Sequence, residues 1–256
     1  MLIVDQNSTQ EPSNFIPVDS IGEFPGYLEF DMVKDDVSIE FVVRQVVIEG
    51  KPVAVCMGEV YALIADARNT DAIHLTRNVK HRPEEKPFAV LMEAESMCAV
   101  ADLNKIHPDL HKFFKNPELI NNLFGNKGFL RFPVKQNVGL DATMIGPGHK
   151  LQAFTFDGDP VAYKFEKTLR ERLKDKHPDG RGEILITSYN ISGKPSITKR
   201  KDANNLSATS KLFVQVNRET SGGGGSYSIY DFDLEGVRKV RHGSGADMID
   251  QTLEVI

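Results

Sequence analysis

Three short stretches carry residue types able to bind or activate an anion. In Lys80-His81-Arg82-Pro83, followed by Lys86-Pro87, Lys80 and Arg82 stand two residues apart. In an extended segment that spacing points both side chains the same way. An ammonium and a planar guanidinium fork can then address one carboxylate or phosphate. In residues 184–195 an apolar run ends in Thr187, Ser188, Tyr189 and Asn190, before a Ser192-Gly193 turn. Ser188 and Asn190 would present a hydroxyl and an amide at a strand end, where ligand crevices of α/β sheets lie. In the third stretch Ser226, Tyr227 and Ser228 follow a glycine loop, and Arg241 precedes a second glycine turn. Each stretch alone has a plain structural alternative: a charged helix exit, a capped turn and a hairpin.

Other chemistries lack their residues. Gly193-Lys194 runs into Pro195 without the earlier glycine of a phosphate loop, and no strand is followed by GxGxxG. Residues 222–225 could bring backbone N–H groups to an anion, but four consecutive glycines equally make a flexible loop. His107 and His111 have no third ligand at a metal-binding spacing, so no metal site is expected. Cys56 and Cys98 form no CxxC pair and suit a reducing compartment.

With 256 residues, 40% hydrophobic and 26% charged, the chain has the composition of a globular protein. The apolar runs 41–48 and 88–92 fall short of the roughly 18–20 residues of a membrane span, and residues 1–10 carry no basic leader segment. The expectation is a cytoplasmic protein without a membrane partner. A net charge of −5 opposes nucleic-acid binding driven by bulk charge. Residues 170–176, 199–201 and 238–241 are nevertheless locally basic; the first two are expected as a solvated face and a charged loop.

The elements that must position these residues alternate. Residues 1–36, rich in Asn, Ser, Pro and Gly, are expected as an extended or loosely packed arm, and residues 37–256 as one domain. Residues 38–48 fit a helix or a strand. Strands are expected within 52–63, at 88–92, 128–132, 151–156, 184–187, 211–216, 227–232 and 237–241. Helices are expected at 70–79 behind an Asn69 or Thr70 cap, and at 93–103, 116–123, 159–174 and 246–255. The pattern predicts an α/β fold with a mixed sheet.

Taken in order, the motifs resemble the YrdC-like family of threonylcarbamoyl-adenylate synthases. Lys80, Arg82, Pro83, Lys86 and Pro87 match its Lys-x-Arg-Pro and Lys-Pro-Leu segment. Ser188, Asn190, Ser192, Gly193 and Pro195 match its Ser-Ala-Asn-x-Ser-Gly-x-Pro run, with Tyr189 in the middle position. Ser228, Ile229, Asp231, Arg241 and Gly243 match its Ser-Thr-Val-Val-Asp strand and Arg-x-Gly turn. Val60-Tyr61-Ala62-Leu63 and Asp66-Ala67 resemble its Val-Tyr-Gly-Leu and Asp-Ala. The likeness covers residues 37–256. The chain departs from the pattern at Cys56-Met57-Gly58-Glu59, which replaces Pro-Thr-x-Thr. It departs again at Leu91, in place of a histidine, and at Phe154, which by spacing replaces the arginine of Val-Arg-x-Pro that Arg131-Phe132-Pro133 imitates locally. Residues 128–150 are either a rebuilt pocket wall or a surface insertion.

The resemblance implies a twisted mixed β-sheet with flanking helices around an open concave cavity. It also implies synthesis of a threonylcarbamoyl-AMP-like carbamoyl-adenylate from an amino acid, bicarbonate and ATP with Mg²⁺, as in tRNA threonylcarbamoyladenosine formation. Lys80 and Arg82 would be the catalytic cations; Ser188, Asn190, Ser228 and Arg241 would bind the nucleotide. Tyr61 and Glu59 would line the acceptor side, the acid suiting threonine's replacement by an amine with a further cationic group. A downstream transferase or tRNA would be the partner. Two other readings stand beside it: a non-catalytic nucleotide- or RNA-binding module of this fold, and a carbamoyl-adenylate synthase fed by carbamoyl phosphate.

Overall fold

Apolar periodicity decides the first element. Ile39, Val42, Val43 and Val46 are all buried, and their i, i+3, i+4, i+7 spacing is that of one helix face. Despite its β-branched residues, Asp36–Val47 is helix α1. The computed structural model describes residues 36–57, 60–125, 127–156, 160–210, 212 and 226–253. The expected N-terminal arm, Glu59, the glycines 222–225 and nearly all of the 211–216 strand therefore lie outside the described residues.

Among the described residues a nine-stranded sheet has the order β1-β2-β7-β3-β6-β4-β8-β9, with β5 paired to β6. Its strands are β1 (Val53–Met57), β2 (Val60–Asp66), β3 (Ala89–Leu91), β4 (Gly128–Pro133), β5 (Ile145–Gly146), β6 (Lys150–Phe154), β7 (Ile184–Ser188), β8 (Ser228–Asp233) and β9 (Gly236–Arg241). The β3–β6 and β4–β8 pairs are parallel and the others antiparallel, so the sheet is mixed, as expected. Between β6 and β8, β4 is an integral strand; residues 128–133 are a wall of the sheet, not an insertion on its surface.

Side chains alternate across each strand, and the two faces are packed differently. One face carries α2 (Thr70–Lys80), α3 (Ala94–Val100), α4 (Pro117–Phe124) and α7 (Ala246–Leu253). They bury Leu130, Phe132, Leu151, Ala153, Tyr230 and Phe232. Stacking of Phe113 on Phe232 at 5.5 Å and an edge contact of Phe114 with Phe232 at 5.4 Å close this layer. The opposite face carries α1 and α5 (Pro160–Lys176), whose Phe165, Leu169 and Leu173 cover Val53, Val55, Ile64 and Ile184. A helix not anticipated from the sequence, α6 (Arg200–Ser210), starts in the basic residues expected as a loop. Its Ala203 packs with Tyr61, Tyr189 and Leu212. Among the described residues no helix is long and apolar enough to cross a membrane.

Candidate active site

Two adjoining cavities lie on the α1–α5 face and share Arg82, Ser188, Ser196, Ser226 and Arg241. Strand parity supplies the floor of the first. Val60 and Ala62 of β2, Ile186 of β7, Phe129 of β4, and Gln152 and Phe154 of β6 line it. The second is a polar lobe over the end of β7, lined by Lys80, Asn190 and Ser192 among others.

Helix α2 delivers the first cation. Asn69 caps its start, accepting from the Ala72 N–H at 3.1 Å. His81, in the left-handed region at φ 47°, ends it, so Lys80 lies in the last turn and Arg82 just beyond. Lys80 is only 2% exposed. Its Nζ donates to the Ser188 carbonyl, to the Asn190 carbonyl at 2.8 Å and to Asn190 Oδ1 at 2.9 Å. These acceptors match the three donors of an ammonium. Ser188 Oγ also donates to Asn190 Oδ1 at 2.6 Å, Asn190 Nδ2 to the Lys194 carbonyl at 2.5 Å, and the Ser192 N–H to the Lys80 carbonyl at 2.7 Å. The first two motifs thus form one knot. Burial, then the neighbouring Arg82 charge, lowers the Lys80 pKa to about 7.

Arg82 is held by carbonyls. Its Nε donates to Lys86 O at 3.2 Å and Nη2 to Pro87 O at 2.7 Å. Arg77, one turn back on α2, donates to the Pro83 carbonyl and, at 3.4 Å, to Lys86 O. Both guanidinium carbons lie 5.0 Å from the centre of the Phe88 ring, a cation–π distance. Burial, and secondly Arg77, pushes the Arg82 pKa down. On the far side Arg241 donates through Nε and Nη2 to Tyr227 O at 3.0 and 2.7 Å. Its pKa is lowered by burial and then by Arg131, which reaches Gln152 Oε1 at 3.2 Å. Gly243 is required in this turn: a Cβ there would run into the Ser226 carbonyl and the Tyr227–Ser228 backbone.

Lys80, Arg82, Ser188, Asn190 and Arg241 are therefore brought together from three distant stretches. Two expected residues are not. Tyr61 is fully buried in the α6-side cluster, because the alternation of β2 gives Val60 and Ala62 the cavity side. Ser228 is also fully buried, with Oγ donating to Lys127 O at 3.4 Å and Ser244 O at 3.3 Å; Ser226 and Tyr227 take the wall instead. Sequence reading missed Gln152, Phe129 and Arg77. Strand parity alone signals the first two, since Phe129 and Gln152 alternate with Leu130, Phe132, Leu151 and Ala153 of the helix-covered face. Nothing local signals Arg77. Among the described residues no group of three or more His, Cys, Asp or Glu side chains could hold a metal ion.

A family model described as telomere recombination, covering Sua5, YciO and YrdC, matches residues 45–243. Among solved structures, P. abyssi Sua5 complexed with L-threonine is 19% identical with a TM-score of 0.59, over 85% of this chain and 56% of that one. Full-length HypF in its phosphate- and nucleotide-bound form is 21% identical with a TM-score of 0.57, over 81% and 29%. E. coli YciO is 12% identical with a TM-score of 0.60, over 85% and 93%. The fold is shared with all three, and the chain spans little more than half the length of the Sua5 structures. No curated protein matches the sequence.

Proposed function

Because the chain belongs to the Sua5–YciO–YrdC family, we propose that it makes a carbamoyl-adenylate from an amino acid, bicarbonate and ATP, releasing pyrophosphate. The observation carrying this reading is the convergence of Arg82 and Arg241 on both cavities beside Ser188. Nucleotide phosphate and a carboxylate are the anions such forks suit.

The chemistry asks little covalent help from the protein. The amine nitrogen bonds to the bicarbonate carbon, water is lost, and a carbamate results. A carbamate oxygen then bonds to the α-phosphorus of ATP. The bond from that phosphorus to the bridging oxygen breaks, and pyrophosphate departs with the electron pair. Charge grows on the leaving group, and fixed cations in a site of low dielectric stabilise it without reorganising. Arg82 and Arg241 are such cations: their carbonyl anchors orient them while leaving their charge uncancelled. With its Nζ committed to three oxygens, Lys80 holds Ser188 and Asn190 in place beneath the polar lobe. Mg²⁺ would enter with ATP, held by phosphate oxygens and water. The cavity walls offer it neutral oxygens such as Ser188, Ser196 and Ser226.

A carbamoyl-adenylate is a mixed anhydride, so a downstream transferase, acting for instance on tRNA, would consume it. The test is pyrophosphate release from ATP, Mg²⁺ and bicarbonate across a panel of amino acids. Release that requires bicarbonate and one class of amino acid is expected. ATP binding with no release from any mixture, and carbamoyl phosphate restoring it, would replace this reading with the carbamoyl-phosphate route.

A further inference from the structure

The first cavity has two chemically distinct ends. At the β1–β2–β7 end the described walls are mainly aliphatic, Met57, Val60, Ala62 and Ile186, each no more than 9% exposed, with Ser188 across from Ala62. Over β6 and β4 they are aromatic. Phe154 lies 4.9 Å from Phe129, 5.3 Å from Phe156 and 5.0 Å from Tyr227, between ring centres. In the sheet order β2 and β6 are three strands apart, which at the usual strand spacing is about 14 Å. The shared polar residues, Arg82 and Ser188 among them, lie along this cavity as well.

We infer that the amino acid taken by this protein has an apolar side chain, seated in the aliphatic end. This rests on the carbamoyl-adenylate reading. A ligand of that kind carries a planar ring, an anionic linkage and a side chain, and 14 Å is the scale of such a molecule. The aromatic end suits the ring, and the guanidiniums suit the linkage. What remains for the side chain, among the described residues, is a wall of Met57, Val60, Ala62 and Ile186, and the Ser188 hydroxyl beside it already donates to Asn190 Oδ1. A hydroxyl pressed against those four side chains loses its water and finds no hydrogen-bond partner among them.

Valine and threonine are isosteres differing by a methyl and a hydroxyl, so they isolate this effect. Calorimetric titration of the full chain with each, in the presence of a non-hydrolysable ATP analogue and Mg²⁺, should show valine binding about 10–100-fold tighter. Met57→Thr should reduce that ratio several-fold, and Val60→Thr, an isosteric change, serves if the first variant does not fold. Threonine or lysine binding as tightly as valine would overturn the inference, and so would failure of all three to bind. Pyrophosphate release measured in parallel separates the two claims. A valine preference without release leaves the apolar subsite standing and removes the synthase reading. Release that prefers threonine does the reverse.

Discussion

The two ends of the β2–β7 strand pair handle charge in opposite ways. Where Asp66 faces Ile184, cations meet carboxylates. Lys176 and His177 each lie 3.0 Å from Asp66, and Arg68 joins Asp179 at 2.7 Å and the buried Glu183 at 3.1 Å. Where Ala62 faces Ser188, Lys80, Arg82 and Arg241 donate to carbonyl and amide oxygens. Titration follows the difference: the Arg68 hydrogen bond holds the Asp179 carboxyl below the usual carboxylate range, whereas burial lowers the pKa of the three cavity cations. A cation paired with a carboxylate contributes to the fold, and its field is cancelled nearby. A guanidinium held by carbonyls, as in Arg82 and Arg241, stays positioned with its charge turned toward a ligand.

This contrast predicts which observable each end controls. The largest effect is expected at the cavity: Arg82→Ala should slow pyrophosphate release about 10²–10³-fold, or roughly 2–4 kcal/mol, with a much smaller change in the denaturation midpoint. An equal loss of rate and stability would make Arg82 a structural residue and break the contrast. At the other end, Arg68→Ala leaves Asp179 and the buried Glu183 short of a partner. It should cost about 3 kcal/mol, or roughly 6–12 °C in Tm for a chain of this size. Catalysis measured well below that Tm should keep its rate.

The smallest effect separates Lys80 from both groups. Its folded pKa of about 7 lies below the 10.5 of a free lysine, so between these values the folded chain binds fewer protons than the unfolded one. Stability from this group therefore rises as the pH rises through that window, and is lost as the pH falls toward 7. Comparing wild type with Lys80→Met by urea denaturation, the wild type should gain on the order of 2 kcal/mol relative to the variant between pH 7 and 9. Parallel curves would mean that the three oxygen acceptors keep the ammonium fully charged.

Much of this site was legible before any fold was known. Residue type marks Lys80, Arg82, Ser188 and Asn190, and the glycine turn behind it marks Arg241. The extended segment expected to point Lys80 and Arg82 the same way is instead the end of helix α2, closed by left-handed His81. In the last two stretches the backbone itself demands glycine: Gly193 sits at φ 83°, and Gly243 has no room for a side chain. Tyr61 and Ser228 were misplaced for a single reason. Each neighbours true cavity residues in the chain, and one step along a strand reverses the face. β2 is buried along its whole length, so no polar alternation marked which face was which.

Local order is written in local residues. The helical spacing of Ile39, Val42, Val43 and Val46, the Asn69 cap and the glycine turns belong to the chain alone, because they depend on contacts within a few residues. The cavity does not. That Lys80 meets Asn190, that Arg241 comes to the same walls as Arg82, and that Met57 and Phe154 stand at opposite ends of one cavity all follow from the strand order β1-β2-β7-β3-β6-β4-β8-β9. Strand order is set by which apolar faces bury best against which helices, a sum over the whole core that no short segment contains.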